Sequence, residues 1–382
     1  MAKITPAILH VSQPVEGGVS RCVREHVADQ LARGWHVSVA CPEGELAEAV
    51  RERGAAHLAW PAGRSPGPAT ALETARLRRL LDDNAFALVH LHSSKAGLAG
   101  RLALRGRLPT VFQPHGWSFY PLSGPLRRAA IAWEQASARW AHAVLCVSET
   151  ERRRGEDAGI RARWEIVPNG IDPHALPAAT DEDRADARAR LGRDGSPLVV
   201  CLGRICRAKG QDVLLEAWPR VLDRVPEARL VFVGGGPDAQ ALGKRPPERV
   251  TFVGERTDAP DWLAAADVVA APSRWEGMSF AMLETMARAR SLVITDVPGA
   301  RDALGEDAPG IVPLGDLSAL AAAITERLLD PALAASEGAS ARTHVERRYD
   351  IRDSTRGVAR LYARVLGTPL EGLEDPELAA AG

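Results

Sequence analysis

Residues 268–287 read VVAAPSRWEGMSFAMLETMA, and this stretch shows the building unit of the whole chain. A short apolar run (268–271) reads as a buried strand, a polar loop carries Glu276 and Gly277, and an apolar helical pattern begins near Ser279. A strand handing over to a helix, repeated, is the signature of a parallel sheet covered on both faces. The same alternation extends outward. Strand-like runs fall at 7–11, 35–40, 88–91, 110–113, 143–147 and 164–167, with helical patterns such as 19–32 and 97–104 between them. Over 168–193 the alternation pauses, where Pro, Asp, Ala and Arg crowd together. It resumes at 198–202, 230–233, 250–253, 268–271, 292–295 and 310–313. The reading is an α/β chain of two domains, 1–175 and 176–350. An acidic, Ala-rich tail, 371–382, is expected to fray.

Composition supports this division. At 382 residues the chain is too long for one ordinary core and comfortable for two. A net charge near −1 and a pI near 6.8 draw nothing to a polyanion, and no nucleic-acid reader motif is present. Cys22, Cys41, Cys146, Cys201 and Cys206 form no CxxC pair and have no His at zinc-ligand spacing. Scattered cysteines, no signal-peptide pattern in 1–12 and no apolar run near 18 residues lead to the expectation of a cytoplasmic protein.

Open α/β sheets bind ligands at the carboxyl ends of their strands. Glu276 and Glu284 follow the run 268–271. If both were helical they would stand about 80° apart and roughly 12 Å along the axis. Glu276 in the loop and Glu284 two turns inside the helix instead line one pocket wall, with the helix N-terminus between them. Amides at Gly277, Met278 and Ser279 favour a phosphate there. Glu284 interrupts an apolar run, and an acid in that setting needs a partner or a polar cavity. An extended ligand with hydroxyls at both ends and phosphate between them suits this arrangement. After the run 198–202, Gly203-Arg204-Ile205-Cys206-Arg207-Ala208-Lys209-Gly210 is a Gly-bounded basic loop. Arg204 and Lys209 there suit a diphosphate leaving group whose charge grows as its bond breaks.

Arg204 with Lys209, Val167-Pro168-Asn169-Gly170-Ile171-Asp172 and SRWEGMSFAMLETMA together resemble the family-4 glycosyltransferases of the GT-B fold. The match runs over most of the chain and is densest in 164–300. The resemblance implies two Rossmann-like doubly wound parallel-sheet domains facing an interdomain cleft, with a nucleotide-sugar donor bound chiefly by the second. It also implies sugar transfer, usually with retention. Glu276 is implied on donor-sugar hydroxyls, Glu284 on ribose hydroxyls, and Arg204 and Lys209 on the diphosphate. Gly203 bounds that loop, and the Gly254–Arg256 loop, with Gly254 and Arg256, lies near the base. A C-terminal helix, about 351–370, packs back on the first domain. No cofactor and no essential metal are expected.

In the first domain, paired Gly17 and Gly18 sit between a strand and a helix, where bare backbone can approach a phosphate. His115 matches the family's first-domain histidine near the donor sugar. His92, Ser93 and Lys95, also just after a strand, and Trp117 are expected on the acceptor side. Basic residues dominate 95–154, interleaved with Trp117, Phe119, Tyr120, Trp133 and Trp140. This stretch reads either as peripheral contact with the inner face of a membrane or as a solvated face over core tryptophans.

Two other motifs point elsewhere. Gly234-Gly235-Gly236-Pro237-Asp238-Ala239 fits the dinucleotide fingerprint and makes a nicotinamide-dependent oxidoreductase the rival of a different class. Asp181-Glu182-Asp183 is a DxD, as metal-dependent sugar transferases use, but it lies in the charged linker. Within the glycosyltransferase reading, the acceptor is a glycan or lipid-linked acceptor in envelope or exopolysaccharide synthesis, or alternatively a small natural product.

Overall fold

Alternating strands and helices build two parallel sheets in the computed structural model, which describes residues 3–373. The chain divides into unit 1, residues 1–169 with 351–382, and unit 2, residues 170–350. The boundary therefore falls at Asn169, a few residues before the expected position.

Unit 1 runs β1 (Ala7–Ser12), α1 (Gly17–Ala32), β2 (His36–Cys41), α2 (Glu45–Glu52), β3 (Ala56–Ala59), α3 (Thr70–Asp82), β4 (Leu88–His92), α4 (Ser93–Leu104), β5 (Thr110–Gln113), α5 (Gly124–Ser137), β6 (Ala143–Cys146), α6 (Glu149–Asp157) and β7 (Trp164–Ile166). Its seven-stranded sheet has the order β3-β2-β1-β4-β5-β6-β7. Successive residues of a strand face opposite sides. Ile8, Leu88, Val111 and Leu145 enter one core with Val23 and Val27, while Leu9, Val89, Phe112 and Val144 enter the other with Trp60 and Leu77.

Unit 2 runs α7 (Asp181–Arg190), β8 (Leu198–Leu202), α8 (Gln211–Leu222), β9 (Arg229–Val233), α9 (Ala239–Gly243), β10 (Val250–Phe252), α10 (Ala259–Ala265), β11 (Val268–Ala271), α11 (Phe280–Ala287), β12 (Ser291–Thr295), α12 (Ala300–Leu304), β13 (Ile311–Val312), α13 (Leu317–Leu329) and α14 (Pro331–Arg348). Its six-stranded sheet has the order β10-β9-β8-β11-β12-β13. The last described helix, α15 (Ile351–Leu366), returns to unit 1 and buries Val358, Leu361 and Tyr362 in the same core as Val23 and Val27.

α7 falls inside the stretch read as a linker. Its ten residues are seven charged ones and three alanines, of which only Ala187 is buried, so no apolar periodicity marks it. A capping box starts it: the Thr180 hydroxyl accepts from the Asp183 N–H, and Asp183 accepts from the Thr180 N–H. The DxD carboxylates are thus the first turn of a capped helix.

Residues 374–382 of the expected frayed tail lie outside the described residues, but 371–373 are packed. The Glu371 carbonyl accepts from Trp35 Nε1 at 2.7 Å, its carboxylate accepts from Thr5 Oγ1 at 2.7 Å, and Leu373 is buried. Fraying thus does not begin at 371. Among the described residues, no helix is long and apolar enough to cross a membrane.

Candidate donor and transfer site

The order of the second sheet reverses between β8 and β11, and loops leaving such neighbours diverge to open a crevice at their carboxyl ends. Lys209, in the loop after β8, and Glu276, in the loop after β11, meet there with Lys209 Nζ 2.5 Å from Glu276 Oε1. Lys209 also donates to Ser279 Oγ at 3.3 Å, and Ser273 Oγ donates to Glu276 Oε1 at 2.7 Å. Lys209, Glu276, Ser279, Ser273 and Gln211 line one small cavity.

The two loops are fastened together by backbone and side chain. Gly210 adopts a left-handed conformation, φ 67°, and a Cβ there would fall 2.0 Å from the Pro272 carbonyl oxygen. The Arg274 N–H donates to the Ala208 carbonyl at 2.7 Å, and the Arg274 guanidinium grips both Asp212 oxygens at 2.7 Å. Hydrogen bonding to Arg274 holds the Asp212 carboxyl below its usual range. Gln211, buried, accepts from the Cys206 N–H at 3.3 Å and donates to the Arg204 carbonyl at 3.1 Å.

The glycine run 234–236 supports the same loop. Gly234 and Gly236 have φ of 143° and 150°, and a Cβ on either would meet the Gly203 or Ile205 carbonyl oxygen at 2.2 Å. The Ile205 N–H donates to the Gly235 carbonyl at 2.7 Å. These glycines let one backbone lie against another, and the helix after them, α9, has only 5 residues. Packing against the Arg204-bearing loop therefore accounts for the dinucleotide-like spacing.

The remaining donor residues expected in unit 2 fall on the loops after β8 and β10 and at the start of α11. Gly203, φ 141°, and half-buried Arg204 begin the β8 loop. Ser279 is the N-cap of α11 and makes no side-chain cap bond. Gly277 is packed against Gly299, whose Cβ would fall 2.1 Å from the Gly277 carbonyl oxygen. Met278 is buried. Glu284 is half-buried in the second turn of α11, nearer the helix start than expected. It does not line the Lys209–Glu276 cavity, and neither do Arg204, Gly254 and Arg256. Gly254 accepts from the Gly234 N–H at 2.8 Å, and exposed Arg256 is bound to Asp258 at 2.9 and 2.5 Å.

In unit 1 the order reverses between β1 and β4. Gly17 and Gly18 open α1 beside that point, exposed, with Gly17 at φ 70°. Ser93 and His115 are non-glycine residues with φ of 70° and 52°. Such conformations cost energy and cluster at functional sites. Glu151, missed in the sequence, fastens the His115 loop: its carboxylate accepts from the Gly116 N–H at 2.6 Å and the Val147 N–H at 2.9 Å. Burial pushes its carboxyl up to about 7 against the pull of those two bonds.

Three acceptor-side expectations need correction. Trp117 is 2% exposed, stacks on Phe119 and donates to the Glu151 carbonyl at 2.8 Å, so it is core. Lys95 is 3% exposed and pairs with Glu73 at 2.5 Å, because an ammonium that deep needs an acid. His92 is fully buried. Only half-buried Ser93, whose hydroxyl donates to the Gln13 carbonyl, and half-buried His115 stay near the surface. The basic stretch is likewise not one solvated face. Arg101 and Glu134 form an ion pair at 2.8 Å with both side chains 1% exposed.

The sequence reading also missed His10, His26 and His90. With His92 they form a buried cluster against Gln30 and Tyr362, and burial lowers the pKa of each.

Residues 16–175 match the family described as Glycosyltransferase Family 4, and residues 196–330 match Glycosyl transferases group 1. The GDP-mannose-dependent alpha-(1-6)-phosphatidylinositol monomannoside mannosyltransferase of Mycolicibacterium smegmatis is 31% identical over 356 residues, 86% of this chain and 90% of its own. The chain belongs to glycosyltransferase family 4. This glycosyltransferase is also 28% identical to the GDP-mannose-dependent monoacylated alpha-(1-6)-phosphatidylinositol monomannoside mannosyltransferase of Corynebacterium glutamicum, over 87% of this chain and 91% of that one. Its fold is shared with the Anabaena HepE protein solved with UDP and glucose, at a TM-score of 0.79 and 21% identity over 94% of this chain and 100% of that one. The family-4 glycosyltransferase therefore has the GT-B architecture, two Rossmann-like parallel-sheet domains, and the oxidoreductase alternative falls.

Proposed function

We propose that this glycosyltransferase moves mannose from GDP-mannose, with retention, to a lipid-linked acceptor of envelope or exopolysaccharide synthesis. The observation that carries the reading is the Lys209–Glu276 pair at the β8–β11 reversal. Lys209 and Arg204 hold the diphosphate, Glu276 takes sugar hydroxyls, and Glu284 takes the ribose. Amides of Gly277, Met278 and Ser279, at an α11 start with no side-chain cap bond, add donors to the phosphates. Lys209, held in place before the ligand arrives, and Arg204 together neutralise the leaving group, so the reading needs no metal. The GDP-mannose-dependent phosphatidylinositol monomannoside mannosyltransferases among its relatives favour GDP-mannose and a lipid-linked acceptor over a small natural product, and UDP-sugars are the second donor class. His115 contacts the transferring sugar.

A panel of GDP-, UDP- and ADP-sugars screened by thermal shift, followed by a transfer assay with the best donor, tests this. GDP-mannose is expected to give the largest shift, and Glu284→Ala to weaken GDP binding at least tenfold, the loss of a charged hydrogen bond of about 1.5–3 kcal/mol. Unchanged affinity in Glu284→Ala contradicts the ribose assignment.

The acceptor's lipid places the enzyme peripherally at the inner face of the cell membrane, through α5. In this helix only Glu134 and Ser137 are buried, and Leu126, 68% exposed, stands beside exposed Arg127 and Arg128. An apolar residue flanked by cations suits anionic lipid headgroups. The protein should sediment with anionic vesicles at low salt, and Leu126→Glu should abolish this. Absence of lipid-dependent sedimentation removes the membrane reading.

A further inference from the structure

We propose that Gln30, His10 and His92 act as positioning residues: a hydrogen-bonded relay that fixes the tautomer of His115 and presents its Nδ1 lone pair to a substrate hydroxyl. The proposal rests on the reading of His115 as a substrate contact. The relay is continuous. His115 Nε2 lies 3.2 Å from His92 Nδ1, His92 Nε2 lies 2.9 Å from His10 Nδ1, and His10 Nε2 lies 2.9 Å from Gln30 Oε1. β1 and β4 supply its inner members at the carboxyl ends where the sheet order reverses, in register His10 to His90 and Ser12 to His92.

The direction of the relay follows from counting donors. A neutral imidazole has one N–H and one lone pair. His10 and His92 are fully buried, which holds both rings neutral. The Gln30 carbonyl oxygen only accepts, so His10 carries its hydrogen on Nε2 and offers Nδ1. His92 must then donate from Nε2 and offer Nδ1, and His115 must donate from Nε2. The atom left over is His115 Nδ1, an acceptor. A substrate hydroxyl donates its proton to that nitrogen and is oriented by it. The His115 ring also stacks on that of His92, with centroids 5.5 Å apart. His10, His90 and His92 also have ring nitrogens within 4.8 Å of one another, close enough for a divalent cation. However, His10 Nδ1 and His92 Nε2 already share a proton, and coordination would remove the lone pairs on which the relay depends.

The test uses the full chain labelled with 15N-histidine and long-range 1H–15N correlation spectra at neutral pH. In the wild type, His115 is expected as the Nε2–H tautomer. Gln30→Met keeps the shape and removes the acceptor. In it, His115 should distribute over both tautomers, and kcat should fall on the order of tenfold with donor KM unchanged. An Nδ1–H tautomer of His115 in the wild type, or no change of tautomer in Gln30→Met, overturns the relay. So does one zinc ion per chain in the purified protein. If Gln30→Met does not fold, the wild-type spectrum decides. His115→Ala separates the two readings: an unchanged transfer rate there refutes the substrate contact, while the tautomer spectrum judges the relay alone.

Discussion

Lys209→Met is expected to lower kcat by about 10²–10³, the cost of removing one fixed donor from a developing anion. The ammonium lies in a crevice made by two loops that are clamped to each other through Gly210, Arg274 and Asp212. Glu276 and Ser279 hold it before any ligand arrives, so it requires little reorganisation when the diphosphate leaves. Methionine preserves the apolar stem and removes the ammonium, with its charge and its N–H donors. It also leaves the half-buried Glu276 carboxylate without its cation, which loosens the group assigned to the sugar hydroxyls. Steady-state kcat at saturating donor measures the effect, with thermal unfolding as the control for fold. A kcat within threefold of wild type would remove Lys209 from the chemistry.

The histidine cluster makes a second large effect. Burial lowers His10 to about 4 and His26 to about 3, and it drives His90 and His92 well below their ordinary range. Above pH ~6.5 these rings are neutral in both the folded and the unfolded chain and add no pH dependence. As pH falls below that value the unfolded chain takes up protons that the native cluster refuses, so stability is lost from about pH 6.5 down toward 4. Glu151 acts in the opposite sense: raised to about 7, it keeps a proton in the native state that the unfolded state holds only near pH ~4.5 and below. Burial lowers His115 to about 3 as well, so five histidines offset by one carboxyl leave about four protons, or about 5 kcal/mol per pH unit. Against a total stability of about 5–15 kcal/mol, the expected acid midpoint is near pH 5. Tryptophan fluorescence and circular dichroism against pH would follow it. A native signal that persists to about pH 3.5 would contradict the neutral, solvent-excluded cluster.

The parallel α/β plan was legible because strands buried on both faces read as continuous apolar runs. β3 was missed because its residues, Ala-His-Leu-Ala at the sheet edge, are few and only partly covered. α7 was missed because tertiary contacts and a cap, not apolar periodicity, hold it. Lys209 and Glu276 were singled out because the residues after a strand are where such sheets bind ligands, and the structure brings the two side chains together. The same rule misplaced His92, Lys95 and Trp117, since position after a strand says nothing about burial. A partial signal for the histidine cluster existed: His90 and His92 are two apart in a strand and so share a face. That His10 joins them depends on the β1–β4 register, and that His26 and Gln30 cover them depends on how α1 packs. Neither is written in local pattern. The glycines at 234–236 were conspicuous in the sequence, but their purpose was not, because it depends on the backbone of residues 203–205.

A crystal structure of the protein with its preferred nucleotide tests the donor assignment most directly. The diphosphate should lie within hydrogen-bond distance of Lys209 Nζ, between the loops 203–210 and 272–279, with the ribose reaching toward Glu284. A nucleotide bound elsewhere, with Lys209 and Glu276 still paired and touching no part of it, would contradict the account.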